Sequence, residues 1–342
     1  MAKNVFHVHG VNQRGNKVFS KKLKRAELAE FMQQQVSPCL IGMEACSGAH
    51  YWAKKFESFG HDVRLIAPQF IKPYVKSNKN DWNDAAAIAE AVTRPHMRFV
   101  PIKSAQQLDM QSVHRARSLL VQHRTAIANN IRGLLSEYGI VIEVGIAKLR
   151  SKLPEILEDA TNHLTIDARY LFNELYEHLQ ELDKKVKHYD DKLKISAKND
   201  EICQKLMTIE GIGPQTATIL AATITNTKLF KNGRELAAWF GLVPKQHSSG
   251  GKNVLLGMSK RGDRYIRSLL VHGARSVLCN WKNKPLNTPR AVWALSKVAE
   301  LGFNKACVAL ANKIARTIWV VLDKDVPYQK THLTQRVAFA AP

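Results

Sequence analysis

Leu171, Leu175, Leu179, Leu182, Val186, Tyr189 and Leu193 recur in steps of four and three. Only a long α-helix brings residues so spaced onto one side, and a seam this close to a heptad calls for another helix to cover it. An antiparallel hairpin, a coiled coil between chains, and an amphipathic helix packed on its own domain all satisfy the pattern. The preceding stretch is helical too. Val113, Leu120, Ile127, Ile131 and Leu134 form its apolar side, and Arg115, Arg117, His123, Arg124 and Arg132 stud it. Residues 105–200 are therefore expected to form a helical connector.

Upstream the pattern is different. Residues 3–9 and Lys17 to Leu23 have strand composition on either side of a turn-like Gly10 to Asn16, which predicts a hairpin. Helices are expected over Arg25–Gln34, His50–Phe59 and Asp81–Val92, and strands over Pro38–Glu44 and Asp62–Ala67. That order fits an α/β domain with a mixed sheet over residues 1–104. Downstream, residues 201–342 read as mainly helical. Leu206 to Ile224 gives helix, glycine turn, helix; Leu236 to Leu242 is a further helical segment; and Arg290 to Leu322 has helical periodicity ending in a docked apolar run, Ile318 to Leu322.

The partner follows from charge. The chain carries 51 Lys and Arg against 29 Asp and Glu, a formal net charge of +22 over 342 residues. Twelve of the basic residues and only two acids, Glu235 and Asp263, lie within residues 226–285. Such an excess calls for a polyanion, held in a salt-dependent way. No apolar run is long enough for a bilayer and no secretory pattern opens the chain, so nucleic acid is favoured over acidic membrane, and a cytoplasmic setting is expected. The five cysteines form no Cys-x-x-Cys pair and are expected to be mostly buried, reduced thiols. His7 and His9 share one strand face and are taken as ordinary strand residues.

Three groups of residues carry candidate chemistry. Glu44 ends a strand, and Asp81 and Asp84 share a face at a helix start. Together they suit Mg²⁺, which takes oxygen ligands and keeps several waters. Helix capping by Asp81 and a dipole contribution from Asp84 would explain the pair equally, though not Glu44 or the nearby Lys72, Lys76 and Lys79. Gly211-Ile212-Gly213 is either a backbone-phosphate contact of a helix-hairpin-helix or a plain tight turn. Ser248-Ser249-Gly250-Gly251-Lys252, with Lys245, Lys260, Arg261 and Arg264 around it, is either a nucleophile loop or a phosphate-binding loop.

With these residues in view, the chain resembles the DEDD-type (Piv-like) insertion-sequence transposases and site-specific recombinases, some of which use a bridge RNA. The resemblance rests on Cys-Leu-Ile-Gly-Met-Glu-Ala-Cys, Ile-Ala-Pro-Gln-Phe-Ile-Lys-Pro-Tyr-Val-Lys, Lys-Asn-Asp-Trp-Asn-Asp-Ala, Gly-Leu-Val-Pro-Lys-Gln-His-Ser-Ser-Gly-Gly-Lys and Ser-Lys-Arg-Gly-Asp-Arg-Tyr-Ile-Arg, and spans nearly the whole chain. It implies an RNase H-like (RuvC-like) N-terminal domain, a coiled-coil connector and a C-terminal transposase domain. It further implies Mg²⁺ on Glu44, Asp81 and Asp84, and Ser249 as nucleophile with Ser248 in reserve, acting at one composite site that different protomers can supply. The implied partners are donor and target DNA, a guide RNA touching Arg115 and Arg124, and further copies of the chain, in a prokaryotic nucleoid. The family's first aspartate would precede the segment that opens here, and its loss is expected to weaken metal binding and catalysis. A RuvC-like nuclease on branched DNA and an inactive nucleic-acid-binding copy are the alternative functions.

Overall fold

The computed structural model describes residues 4–76, 80–250, 252–283 and 288–329. Met1 to Lys3, Lys79 and Gly251 lie outside the described residues. The chain divides into two units, Met1–Ala105 and Gln106–Pro342.

The first unit opens with an antiparallel hairpin of β1 (Val5–Val11) and β2 (Lys17–Lys24). Its turn forms where the Asn12 side chain accepts from the backbone N–H of Arg14 and Asn16, both at 3.0 Å, and Gly15 takes φ +78. Helix α1 (Arg25–Glu30) follows and widens into a π turn over Phe31–Gln35. Strand β3 (Leu40–Glu44), helix α2 (Ala49–Glu57) and strand β4 (Asp62–Ile66) make a parallel crossover, with Leu40 opposite Asp62 and Glu44 opposite Ile66. After α3 (Pro68–Ile71) and α4 (Asp81–Val92), the two-residue β5 (Phe99–Val100) returns antiparallel to β4.

The expected mixed sheet is thus β3-β4-β5, and the hairpin stands as a separate two-stranded sheet. Phe6 of the hairpin and Met43 of β3 nevertheless share one apolar core with Phe31, Trp52, Phe56 and Leu65. On the other side of the sheet, Ala87, Ala91 and Val92 of α4 pack with Ile66 and Ile71. Gly42 permits this approach, since a Cβ there would stand 2.8 Å from the Val92 Cβ.

The second unit begins with α5 (Ala105–Glu137), α6 (Ile146–Glu158) and α7 (Ile166–Lys198). Their shared core holds Ala128, Ile131, Leu135, Leu149, Leu153, Phe172 and Leu179. The heptad seam of α7 is therefore covered within the chain over this stretch. It also starts one residue later than the leucine spacing suggests: Phe172 is fully buried, whereas Leu171 is 45% exposed. The α-helix turns at 3.6 residues, not 3.5, so a seam drifts across neighbouring positions over several turns. Likewise Leu135, not Leu134, is the fully buried residue of α5.

Next come α8 (Glu201–Met207), α9 (Pro214–Thr223) and α10 (Gly233–Trp239), then a short hairpin of β6 (Pro244–Gln246) and β7 (Leu255–Met258), and finally α11 (Arg264–Asn283), α12 (Pro289–Leu301) and α13 (Phe303–Lys324). Gly302, at φ +81, divides the periodic tail into α12 and α13. Ile318 is fully buried, so this end of the chain docks into the core with Leu206, Leu220, Phe240, Ile266, Leu270 and Leu310. Two of the five cysteines, Cys203 and Cys307, are buried; Cys39 and Cys279 are exposed, against the expectation of mostly buried thiols. Among the described residues no helix is long and apolar enough to cross a membrane.

A polar network ties α5 to this core. His114, 1% exposed, sits with Nδ1 3.0 Å from the Tyr265 hydroxyl and Nε2 3.0 Å from the Thr218 hydroxyl. Gln215 donates to the same tyrosine oxygen at 2.8 Å. Burial, with Arg117 nearby, pushes the His114 pKa down from 6.5 to about 4. Between those values the unfolded chain binds a proton at this site that the folded chain does not, so stability falls as pH drops through that window. Denaturant titrations are expected to show about 2–3 kcal/mol lost at this site between pH 7 and pH 4.5, with a flatter profile in His114→Gln.

Candidate active site

The three carboxylates occupy ordinary places in the first unit. Glu44 is the last residue of β3, and Asp81 and Asp84 lie in the first turn of α4. The helix is capped by neither aspartate: Asn80 is the N-cap, and its side chain accepts from the Asn83 N–H at 2.7 Å. This corrects the capping role open to Asp81. Both aspartates still complement the helix dipole. All three carboxylates line one cavity of about 760 Å³, together with β1, β3 and the flank of α4.

The cavity brings in a residue that the sequence did not single out. His7 of β1 places Nε2 3.3 Å from Asp81 Oδ2, and its ring meets Trp82 edge-on at 4.4 Å. Its Nδ1 is buried with no hydrogen-bond partner among the described residues. His7 is therefore more than an ordinary strand residue. Its only sequence signal was its place on a predicted strand, and nothing local pointed to a helix start more than seventy positions on. Asp81 itself is 71% exposed at the side chain.

Oxygen donors on a roomy cavity suit a hard divalent ion that keeps most of its waters. The three are not drawn together as a closed ligand set. Among the described residues no group of three or more His, Cys, Asp or Glu side chains could hold a metal ion.

In the second unit, Ser248 and Ser249 sit on the exposed end of the β6–β7 hairpin. The Ser248 hydroxyl accepts from Gln246 Nε2 at 2.9 Å. Ser249 opens a tight turn, with its carbonyl accepting from the Lys252 N–H at 3.1 Å and Gly250 at φ +56. No described residue hydrogen-bonds the Ser249 hydroxyl, which leaves it open to a ligand. Lys245, Lys252, Lys260, Arg261 and Arg264 are all exposed on this hairpin, its return loop and the start of α11. The sequence gave no warning of this hairpin, because neither strand carries the usual alternating pattern.

The root of the hairpin is rigid. The Phe240 carbonyl accepts from buried Arg267 at 3.1 Å, and the Leu242 carbonyl accepts from Asn312 at 3.1 Å. Gly241 (φ +72) and Gly262 (φ +98) cross there. A Cβ on Gly241 would lie 2.0 Å from the Arg261 carbonyl oxygen, and one on Gly262 1.9 Å from that of Trp239.

The other candidates separate by environment. Gly211, at φ +91, packs against α11, where a Cβ on Gly273 would come within 2.0 Å of the Gly211 carbonyl oxygen. Gly213 is exposed at the N-cap of α9, with open space around it. Arg115 is exposed on α5. Arg124 instead donates to Asp183 of α7 at 3.1 Å, an oxygen it shares with Arg150 at 2.5 Å. Arg117 similarly pairs with Asp190 at 2.5 Å. These half-buried pairs fasten α5 and α6 to α7.

Comparison with known proteins gives the family. Residues 1–140 match a family described as "Transposase", and residues 203–288 match "Transposase IS116/IS110/IS902 family". A Pseudomonas aeruginosa protein named "Probable family 20 transposase" is 44% identical, over 96% of this chain and 97% of its own length. The transposase for insertion sequence element IS1111A of Coxiella burnetii is 43% identical over 96% of this chain and 90% of its own. The transposase for IS1328 of Yersinia enterocolitica is 38% identical over 96% and 97%. With two family models matched and whole-length relatives well above 30% identity, this chain belongs to the IS116/IS110/IS902 family of insertion-sequence transposases.

Proposed function

We propose that this transposase carries out RNA-guided, site-specific DNA recombination through a covalent phosphoserine intermediate on Ser249. The observation that carries the proposal is the placement of Ser249: an open hydroxyl on a rigidly rooted, exposed hairpin, ringed by Lys245, Lys252, Lys260, Arg261 and Arg264. Those cations would favour the alkoxide and offset charge on the phosphorus under attack. The serine oxygen displaces a deoxyribose oxygen from a DNA phosphodiester, and a strand oxygen from the second duplex later displaces the serine.

On this reading residues 1–104 act as a RuvC-like catalytic domain. Glu44, Asp81 and Asp84 would hold Mg²⁺, which when bound supplies Lewis-acid charge at a phosphate. His7 holds the Asp81 carboxylate in place. Residues 105–200 serve as the connector, with Arg115 exposed toward an RNA backbone and Arg124 fixing the helices. In residues 201–342, Gly213 at the start of α9 offers backbone N–H groups to a DNA phosphate, while Gly211 sets the packing beneath it. The working form is a homo-oligomer on donor and target DNA.

The test is Mg²⁺-dependent strand cleavage by the full chain with its flanking RNA and labelled donor DNA. Glu44→Gln, Asp81→Asn and Asp84→Asn are each expected to lower the rate by at least about a hundredfold, as removal of charged catalytic groups does. Unchanged rates in all three variants would remove the carboxylates from the mechanism.

A further inference from the structure

Two backbone edges in the first unit lack strand partners. Among the described residues, β1 pairs only with β2, and β3 pairs only with β4. The free edges of β1 and β3 line the same cavity of about 760 Å³ along their whole lengths. Both strands contribute to one apolar core, through Phe6 and Met43, so they are held side by side without a hydrogen-bonded ladder between them. Ile88 and Val92 of α4 also line the cavity.

A row of free N–H and C=O groups is a template for an added strand, and buried backbone groups require partners. The unpartnered, buried Nδ1 of His7 on the same cavity is a further unmet polar group. With core on one face and α4 on the other, an inserted strand would be covered on both sides. Strands of that kind are near-continuous runs of Val and Ile, not alternating patterns.

We propose that this cavity is a strand-acceptor site. It takes an extended, uncharged, β-branched segment of a partner polypeptide between β1 and β3, joining the hairpin and the three-stranded sheet into one sheet. The five residues of β3 set the length of the ladder. Glu44, Asp81 and Asp84 line the same cavity, so an added strand would also fix the elements that carry them. The proposal does not depend on the serine chemistry.

The test is hydrogen exchange on the full chain with a blocked peptide, Lys-Thr-Val-Ile-Val-Ile-Val-Thr-Lys, as probe. Alternate amides of Val5–Val11 and Leu40–Glu44 are expected to exchange at least tenfold more slowly with the peptide bound, while those of β6–β7 do not change. Replacing the second Ile of the peptide by Pro, which removes a ladder donor, is expected to weaken binding at least tenfold. Ala89→Phe, which fills the cavity from α4, is expected to abolish binding with the thermal midpoint retained. If that variant does not fold, the proline peptide decides. No protection at saturating peptide, or equal protection by the proline peptide, would overturn the proposal. Edge protection in the protein alone that grows with its concentration would also overturn it, assigning the slot to a second copy.

Discussion

Ser249→Ala is expected to lose covalent capture of donor DNA altogether, a drop of about a thousandfold or more, as for removal of a nucleophile. Ser248→Ala is expected to stay within about tenfold of the parent. The two serines are adjacent and equally exposed, so a general loss of loop structure would affect both variants alike. What separates them is hydrogen bonding: Ser248 is held by Gln246, and Ser249 presents a free hydroxyl at a glycine turn. A denaturing gel of protein and labelled DNA measures the difference. DNA retention by the unlinked complex in both variants shows that binding survives.

Gly262→Ala is expected to destabilise the protein by at least about 3 kcal/mol, with Gly241→Ala close behind. Each combines a left-handed backbone angle with a Cβ driven into a carbonyl oxygen at 1.9 or 2.0 Å, and neither neighbour can swing aside because it is main chain. The crossing of these two glycines sets the root from which the serine hairpin projects. A variant that still folds is therefore expected to lose covalent capture more than DNA affinity. Urea titration gives the first quantity, and adduct yield against filter binding gives the second. By contrast, Gly213→Ala meets open space and is expected to leave stability nearly unchanged.

Long, strongly patterned elements were legible in the sequence. Helix α4 begins and ends where its composition predicts, at Asp81 and Val92, because an Asn cap is followed by an alanine-rich run. The β1–β2 hairpin is close to its predicted bounds, since its turn chemistry is local. The misses have a common cause: they depend on partners distant in sequence. The capping role went to Asn80 and not Asp81 because cap geometry depends on a backbone angle that composition does not reveal. His7 gained a role only when β1 and α4 came together. The basic face of α5 looked uniformly available, yet Arg117 and Arg124 are occupied by aspartates of α7, and Arg115 is left exposed. Gly211 and Gly213 looked equivalent, and packing on Gly273 separates them. The hairpin that carries Ser249 has strands of three and four residues, too short for a periodic signal.

The serine chemistry is tested most directly by mapping the bond itself. The full chain, its flanking RNA and donor DNA are incubated with Mg²⁺, digested, and the protein–DNA linkage is located by mass spectrometry. A nucleotide esterified to the peptide that contains Ser249, and to that residue within it, is the predicted result. A linkage to any other residue, or cleaved DNA with free ends and no linkage at all, would contradict it.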